Sequence, residues 1–148
     1  DTKVYSFALS NKSDTQELSI EGPNVGGSTH SLADRSGDSI TISTHRGEDV
    51  IETPPSVIKI DVEGAEQLVL EGMESLLNRE ECRIVYCELH HPGSENASID
   101  DFGGSVEEVY TILEDSGFEI RELDHREGKY NTSDIKAMKQ ESSAGEVQ

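Results

Sequence analysis

The sequence predicts an α/β domain built as a three-layer sandwich, with helices on both faces of a mostly parallel sheet. Three observations lead there. The run Val57-Ile58-Lys59-Ile60 is rich in β-branched residues and reads as a buried strand. Directly after it the period changes, and Ala65, Leu68, Val69, Gly72, Met73, Leu76 and Leu77 fall on one helical face. A second apolar run, residues 83–89, follows a polar turn at residues 78–81. A strand, a helix and a strand of this length form a right-handed crossover whose two strands are parallel neighbours at the centre of the sheet.

The other elements follow in order. Residues 4–9 alternate and predict a strand, with a turn at 10–14, and residues 17–20 form a short strand. Residues 22–28 read as a loop, because their glycines lack the strand–GxGxxG–helix setting and the lysine of a phosphate-binding loop. Residues 39–44 alternate as a strand, residues 48–51 make a helical turn, and Pro54-Pro55 ends it. Beyond the crossover, His91-Pro92-Gly93 opens a loop that runs to Gly104. Ser105 and Glu108 have the spacing of a capping box. Val106, Val109, Tyr110 and Leu113 give the following helix its apolar face, and Gly117 stands where the helix must end. Residues 118–123 form a strand, 124–132 a hairpin loop and 135–138 a last strand. Residues 1–139 make one domain and 140–148 a polar tail.

In open α/β sheets ligands bind at the carboxyl ends of the strands. The crossover places Asp61, Glu63, Glu88 and His90 at one such edge, and an extended backbone would project Asp61 and Glu63 to the same side. Gly64 permits a tight bend or a close approach, and Glu66 falls in the first helical turn, where the macrodipole favours a carboxylate. Carboxylates with one imidazole suit a hard or borderline divalent cation, with Asp61, Glu63 and Glu88 as its ligands. They equally suit a general base beside a substrate hydroxyl. The plain alternative is that Glu63 and Glu66 cap the helix and Asp61 is a solvated strand end. His91 precedes a proline and points away from its neighbour in an extended chain. His30, His45 and His125 have no partner that the sequence names.

Composition narrows the function classes. The chain carries 31 acidic against 12 basic residues, for a net charge of −19, and only 32% of its residues are hydrophobic. That balance argues against nucleic acid as a partner, which needs a basic footprint. The acid is spread along the whole chain, as expected of a protein from a salt-rich cytoplasm. No run is long enough for a membrane span and no signal segment opens the chain. Cys82 and Cys87 form no CxxC pair and read as reduced thiols. The sequons at Asn11, Asn96 and Asn131 therefore carry no meaning.

The block Lys59-Ile-Asp61-Val-Glu63-Gly64-Ala65-Glu66, then Leu70-Glu-Gly72, then Glu88-Leu-His90 resembles the FkbM family of S-adenosylmethionine-dependent methyltransferases. The resemblance runs from about Val4 to about Lys139 and covers the later part of the family domain. The family's glycine-rich loop after its first strand, and the acidic residue after its second, have no counterpart. The resemblance implies a Rossmann-like class I methyltransferase fold that here lacks its N-terminal strands. It implies S-adenosyl-L-methionine as donor and a hydroxyl of a small molecule or sugar as acceptor, to which the side chains alone add a possible divalent cation. It places Ala8, Leu9 and Ser10 near the adenine and Asp61 near the methionine ammonium group. Glu88 or His90, with Glu63 beside them, would orient or deprotonate the acceptor. Loops 21–35 and 93–104 would choose it. A sheet short of strands has an unprotected edge, which invites a homo-oligomer. Two rival readings are a non-catalytic acidic domain that binds ions or a partner, and a metal-dependent hydrolase or phosphoryl-transfer enzyme using Asp61, Glu63 and Glu88.

Overall fold

The computed structural model describes residues 2–20, 30–31 and 38–140. The loop at 22–28, most of the stretch 21–35 and the tail beyond Gln140 lie outside the described residues.

The described residues form two mixed four-stranded sheets rather than one mostly parallel sheet. The first contains β1 (Ala8–Leu9), β2 (Asp14–Ile20), β3 (His30–Ser31) and β4 (Asp38–His45), in the order β1-β4-β2-β3. Only the β1/β4 pairing is parallel. A short helix, α1 (Gly47–Val50), follows. The second sheet contains β5 (Val57–Ile60), β6 (Ile84–His90), β7 (Phe118–Arg126) and β8 (Thr132–Lys139), in the order β5-β6-β8-β7. β5 and β6 are parallel neighbours, with Val57 opposite Ile84 and Ile60 opposite Cys87, as the crossover requires. β8 runs antiparallel to both β6 and β7. The turn at residues 127–131 is too short for anything but a hairpin, so β8 must reverse, and it returns between β6 and β7. β5 is therefore an edge strand of its sheet and β6 is central.

The helices α2 (Glu66–Glu71), α3 (Glu74–Leu77) and α4 (Val106–Asp115) share one core with the second sheet. Strand alternation sends Ile58, Ile60, Val85, Cys87, Leu89, Ile135 and Ala137 into that core, against Val69, Leu70, Leu77, Val109 and Leu113. The other face leaves Val57, Tyr86 and Met138 exposed, so among the described residues this sheet has two layers rather than three. The crossover helix is split at Gly72-Met73. A Cβ on Gly72 would stand 2.0 Å from the Ser10 carbonyl oxygen, so the first sheet's chain passes directly over this glycine.

Several elements differ in extent from expectation. β1 keeps only two residues, because residues 4–7 have no strand to pair with and Val4 and Tyr5 face solvent. β7 and β8 are longer, since their pairing continues to Arg126 opposite Thr132. Ser105 Oγ accepts from the Glu108 N–H at 3.1 Å, but the reciprocal capping box forms at Ser98 and Asp101, on a 3-10 turn (Ile99–Phe102) inside the expected loop. Gly117 takes φ 86° at the end of α4. Cys82 and Cys87 are free and buried. Among the described residues no helix is long and apolar enough to cross a membrane.

Candidate functional site

β5 stops at Ile60, and residues 61–65 carry the chain into α2. Glu63 has φ 51° and Gly64 φ 100°, so this turn is left-handed at two successive positions. A Cβ on Gly64 would meet the Ser98 carbonyl oxygen at 2.8 Å, and the turn packs tightly under the 3-10 segment. Asp61 and Glu63 are thus not neighbours on one face of a strand. The left-handed turn, not strand alternation, brings Glu63 to the site.

Glu66 opens α2 with no solvent exposure at all. Its Oε1 accepts from the Gly64 N–H at 2.9 Å and from His90 Nδ1–H at 2.7 Å. It therefore closes its own turn and fixes the imidazole at the end of β6. His90 is 3% exposed, and its Nε2 faces Glu63 Oε2 at 3.3 Å. One donor atom each from Asp61, Glu63 and His90 lie within 4.8 Å of one another. Glu63 Oε2 and Glu66 Oε2 are buried with no hydrogen-bond partner among the described residues.

Burial pulls the His90 pKa down, but the hydrogen bond to Glu66 and the charges of Glu66, Glu63 and Glu88 outweigh it and hold the pKa above its ordinary value. Burial raises the pKa of Glu63, the charges of Asp61, Glu88 and Glu66 raise it further, and His90 opposes them. His90 holds its proton to higher pH than usual, and Glu63 gains one at higher pH than usual.

Glu88 lies two residues before His90 on the same face of β6. Its carboxylate is 3.5 Å from Arg126, which also holds Asp134 at 2.5 Å and Asp124 at 3.6 Å. Glu88 thus belongs to an ion network beside the converging group. His90 takes the place in that group that the sequence assigned to Glu88. Asp61 pairs with the exposed Lys59 at 2.8 Å.

Ala8 and Leu9 line a cavity of about 460 Å³ between β1 and the free edge of β5, with Ile60, Val62, Ala65 and Met73. Its walls are mainly apolar and include none of Asp61, Glu63, Glu88 and His90. Val62 links the two places, because it lines the cavity between Asp61 and Glu63 in sequence. Ser10 is buried just beyond β1, donates its N–H to the His45 carbonyl at 2.9 Å and leaves its hydroxyl without a partner. Three histidines left aside by the sequence have partners. His91 Nε2 is 2.7 Å from Ser133 Oγ, and its ring lies tilted against that of His125, with centroids 5.1 Å apart. His45 packs edge-on against Phe7.

The profile of the methyltransferase FkbM domain matches residues 1–120. The chain belongs to the FkbM methyltransferase family. A crystal structure of an FkbM methyltransferase from Methylobacillus flagellatus KT is similar at 18% identity and a TM-score of 0.45, over 66% of this chain and 23% of that one. The chain therefore spans about a quarter of that relative's length. A search of curated proteins finds no match.

Within the FkbM domain, sequence reasoning passed over Glu66 as a site residue. A signal was available: Glu66 stands three and four residues before Val69 and Leu70, on the buried stripe of α2. A carboxylate on such a stripe needs a partner, and His90 is that partner. Arg126 carried no signal, because it reaches Glu88 only through the placement of β8.

Proposed function

We propose that this FkbM chain carries the catalytic side of an S-adenosylmethionine-dependent O-methyltransferase whose substrate is a hydroxyl of a small molecule or sugar. We further propose that its second sheet is one half of a Rossmann-like class I methyltransferase sheet, working in a salt-rich cytoplasm. The observation that carries the reading is the convergence of Asp61, Glu63 and His90, with Glu66 behind them, at the carboxyl ends of two adjacent parallel strands.

The residues fit the donor in two respects. The apolar cavity beside Ala8 and Leu9 suits a flat base, and the anionic strand ends suit an ammonium group, the role proposed for Asp61. Ala8, Leu9, Ser10 and Asp61 would hold the donor. When bound, S-adenosylmethionine supplies an electrophilic methyl group on a positively charged sulfur. The chain's own residues then align the acceptor and take its proton. Glu88, steadied by Arg126, receives the proton. His90 and Glu63 orient the acceptor oxygen, and Glu66 keeps the imidazole from rotating.

Calorimetry with S-adenosylmethionine tests this, on the chain and on a version extended upstream. Binding by either supports the reading. Binding by neither overturns it.

A further inference from the structure

We propose that Asp61, Glu63 and His90 form a binding site for one divalent transition-metal ion of the Mn²⁺ or Zn²⁺ class. This inference stands apart from methyl transfer. A crowd of carboxylates alone would say little on a chain of net charge −19. What distinguishes this group is the histidine and the carboxylate behind it.

His90 is 97% buried (3% exposed) at the end of β6, and its Nδ1–H is held by the buried Glu66 at 2.7 Å. That bond fixes the tautomer and the ring plane and turns Nε2 towards Glu63. A carboxylate behind a histidine is the usual support of a metal-ligating imidazole. Glu63 Oε2 stands 3.3 Å from Nε2 and is buried, with no hydrogen-bond partner among the described residues. A buried carboxylate oxygen in that state needs an explanation, and a bound ion supplies one. The third donor, Asp61, comes from the neighbouring strand end, and the three donor atoms lie within 4.8 Å of one another. Two oxygens and one imidazole nitrogen favour borderline transition metals over Ca²⁺. Asp61 has two oxygens, so it can face the ion with one and an ammonium group with the other. The exposed Lys59 on Asp61 can swing aside.

The test uses the full chain, stripped with a chelator and titrated with Mn²⁺ in molar KCl. High salt screens diffuse binding to surface carboxylates and spares a chelating site. Paramagnetic resonance counts bound Mn²⁺, and its pulsed form detects coupling to an imidazole nitrogen. The expected result is one ion per chain with nitrogen coupling. Asp61→Asn, at a partly exposed position, should weaken binding at least tenfold with an unchanged melting profile. Glu66→Gln should weaken it roughly 10–100-fold, as loss of a supporting partner does. Absence of saturable binding in molar KCl, bound Mn²⁺ without nitrogen coupling, or an affinity unmoved by Asp61→Asn would each overturn the site.

Discussion

Replacing Glu66 with Gln removes a charge and changes almost no shape. The amide oxygen can stand where Oε1 stands and keep both contacts, to Gly64 N–H and to His90 Nδ1–H. The amide nitrogen replaces Oε2, which is buried and already without a partner, so that exchange alters little. The main loss is charge assistance in the bond from His90. A hydrogen bond to a charged group contributes roughly 1.5–3 kcal/mol and a neutral one roughly 0.5–1.5. The expected cost is therefore about 1–2 kcal/mol, or about 2–8 °C in melting temperature for a domain of this size. The cost depends on pH. His90 has a raised pKa in the fold, so its contribution is fully present below its ordinary value of 6.5 and is lost as pH rises through the folded value. Glu63 is raised as well: its contribution is fully present below 4.5 and is likewise lost as pH rises through its folded value. The wild-type chain should melt lower at about pH 9 than at about pH 6, and the gap to Glu66→Gln should narrow at the higher pH. Circular-dichroism melts of both proteins, with chelator and at constant salt, measure this. An equal gap at both pH values, or no gap at the lower one, would refute the charge-assisted bond between His90 and Glu66.

Three more outcomes are expected. Gly64→Ala forces a side chain into φ 100° and sets its Cβ 2.8 Å from a backbone oxygen. Left-handed strain of about 1–2 kcal/mol and overpacking of about 1–3 should lower the denaturant midpoint clearly, and a midpoint within error of wild type would count against the tight turn. Stability should climb with KCl into the molar range, because counterions screen the self-repulsion of a net −19 chain; a flat melting temperature would dismiss a halophilic origin. In a longer, active version, Glu88→Gln should cut turnover by ~10²–10⁴ and leave the fold intact. Full turnover in that variant would reduce Glu88 to a partner of Arg126.

The crossover was legible because the hydrophobic period switches from strand to helix within a few residues of Gly64, and such a switch has few geometric solutions. The parallel β5/β6 pair and the grouping of Asp61 with His90 follow from it. Sheet order was not legible. Nothing local in residues 132–139 says that β8 will lie against β6 rather than outside β7, and the ion network of Arg126 depends on that choice. The conformation of Glu63 was hidden for a similar reason. The glycine after it marks a turn, but the left-handed φ at Glu63 accompanies close packing against Ser98 and Phe102, far along the chain. Residues 4–7 failed in the opposite way: their alternation is real, yet a strand needs a neighbour.

Among the described residues the outer edge of β5 pairs with no strand, and this gives the chain's acidity a second meaning. Open strand edges on separate copies can extend one sheet across two molecules. Like charge on every copy opposes that meeting over a range set by the Debye length, about 30 Å at 0.01 M salt and about 3 Å at 1 M. The ions that relieve repulsion within a copy remove it between copies too. Thermal stability and colloidal stability are therefore expected to move in opposite directions along a salt series. The osmotic second virial coefficient should fall towards attraction as the melting temperature climbs, and the most useful working salt is where neither has reached its extreme.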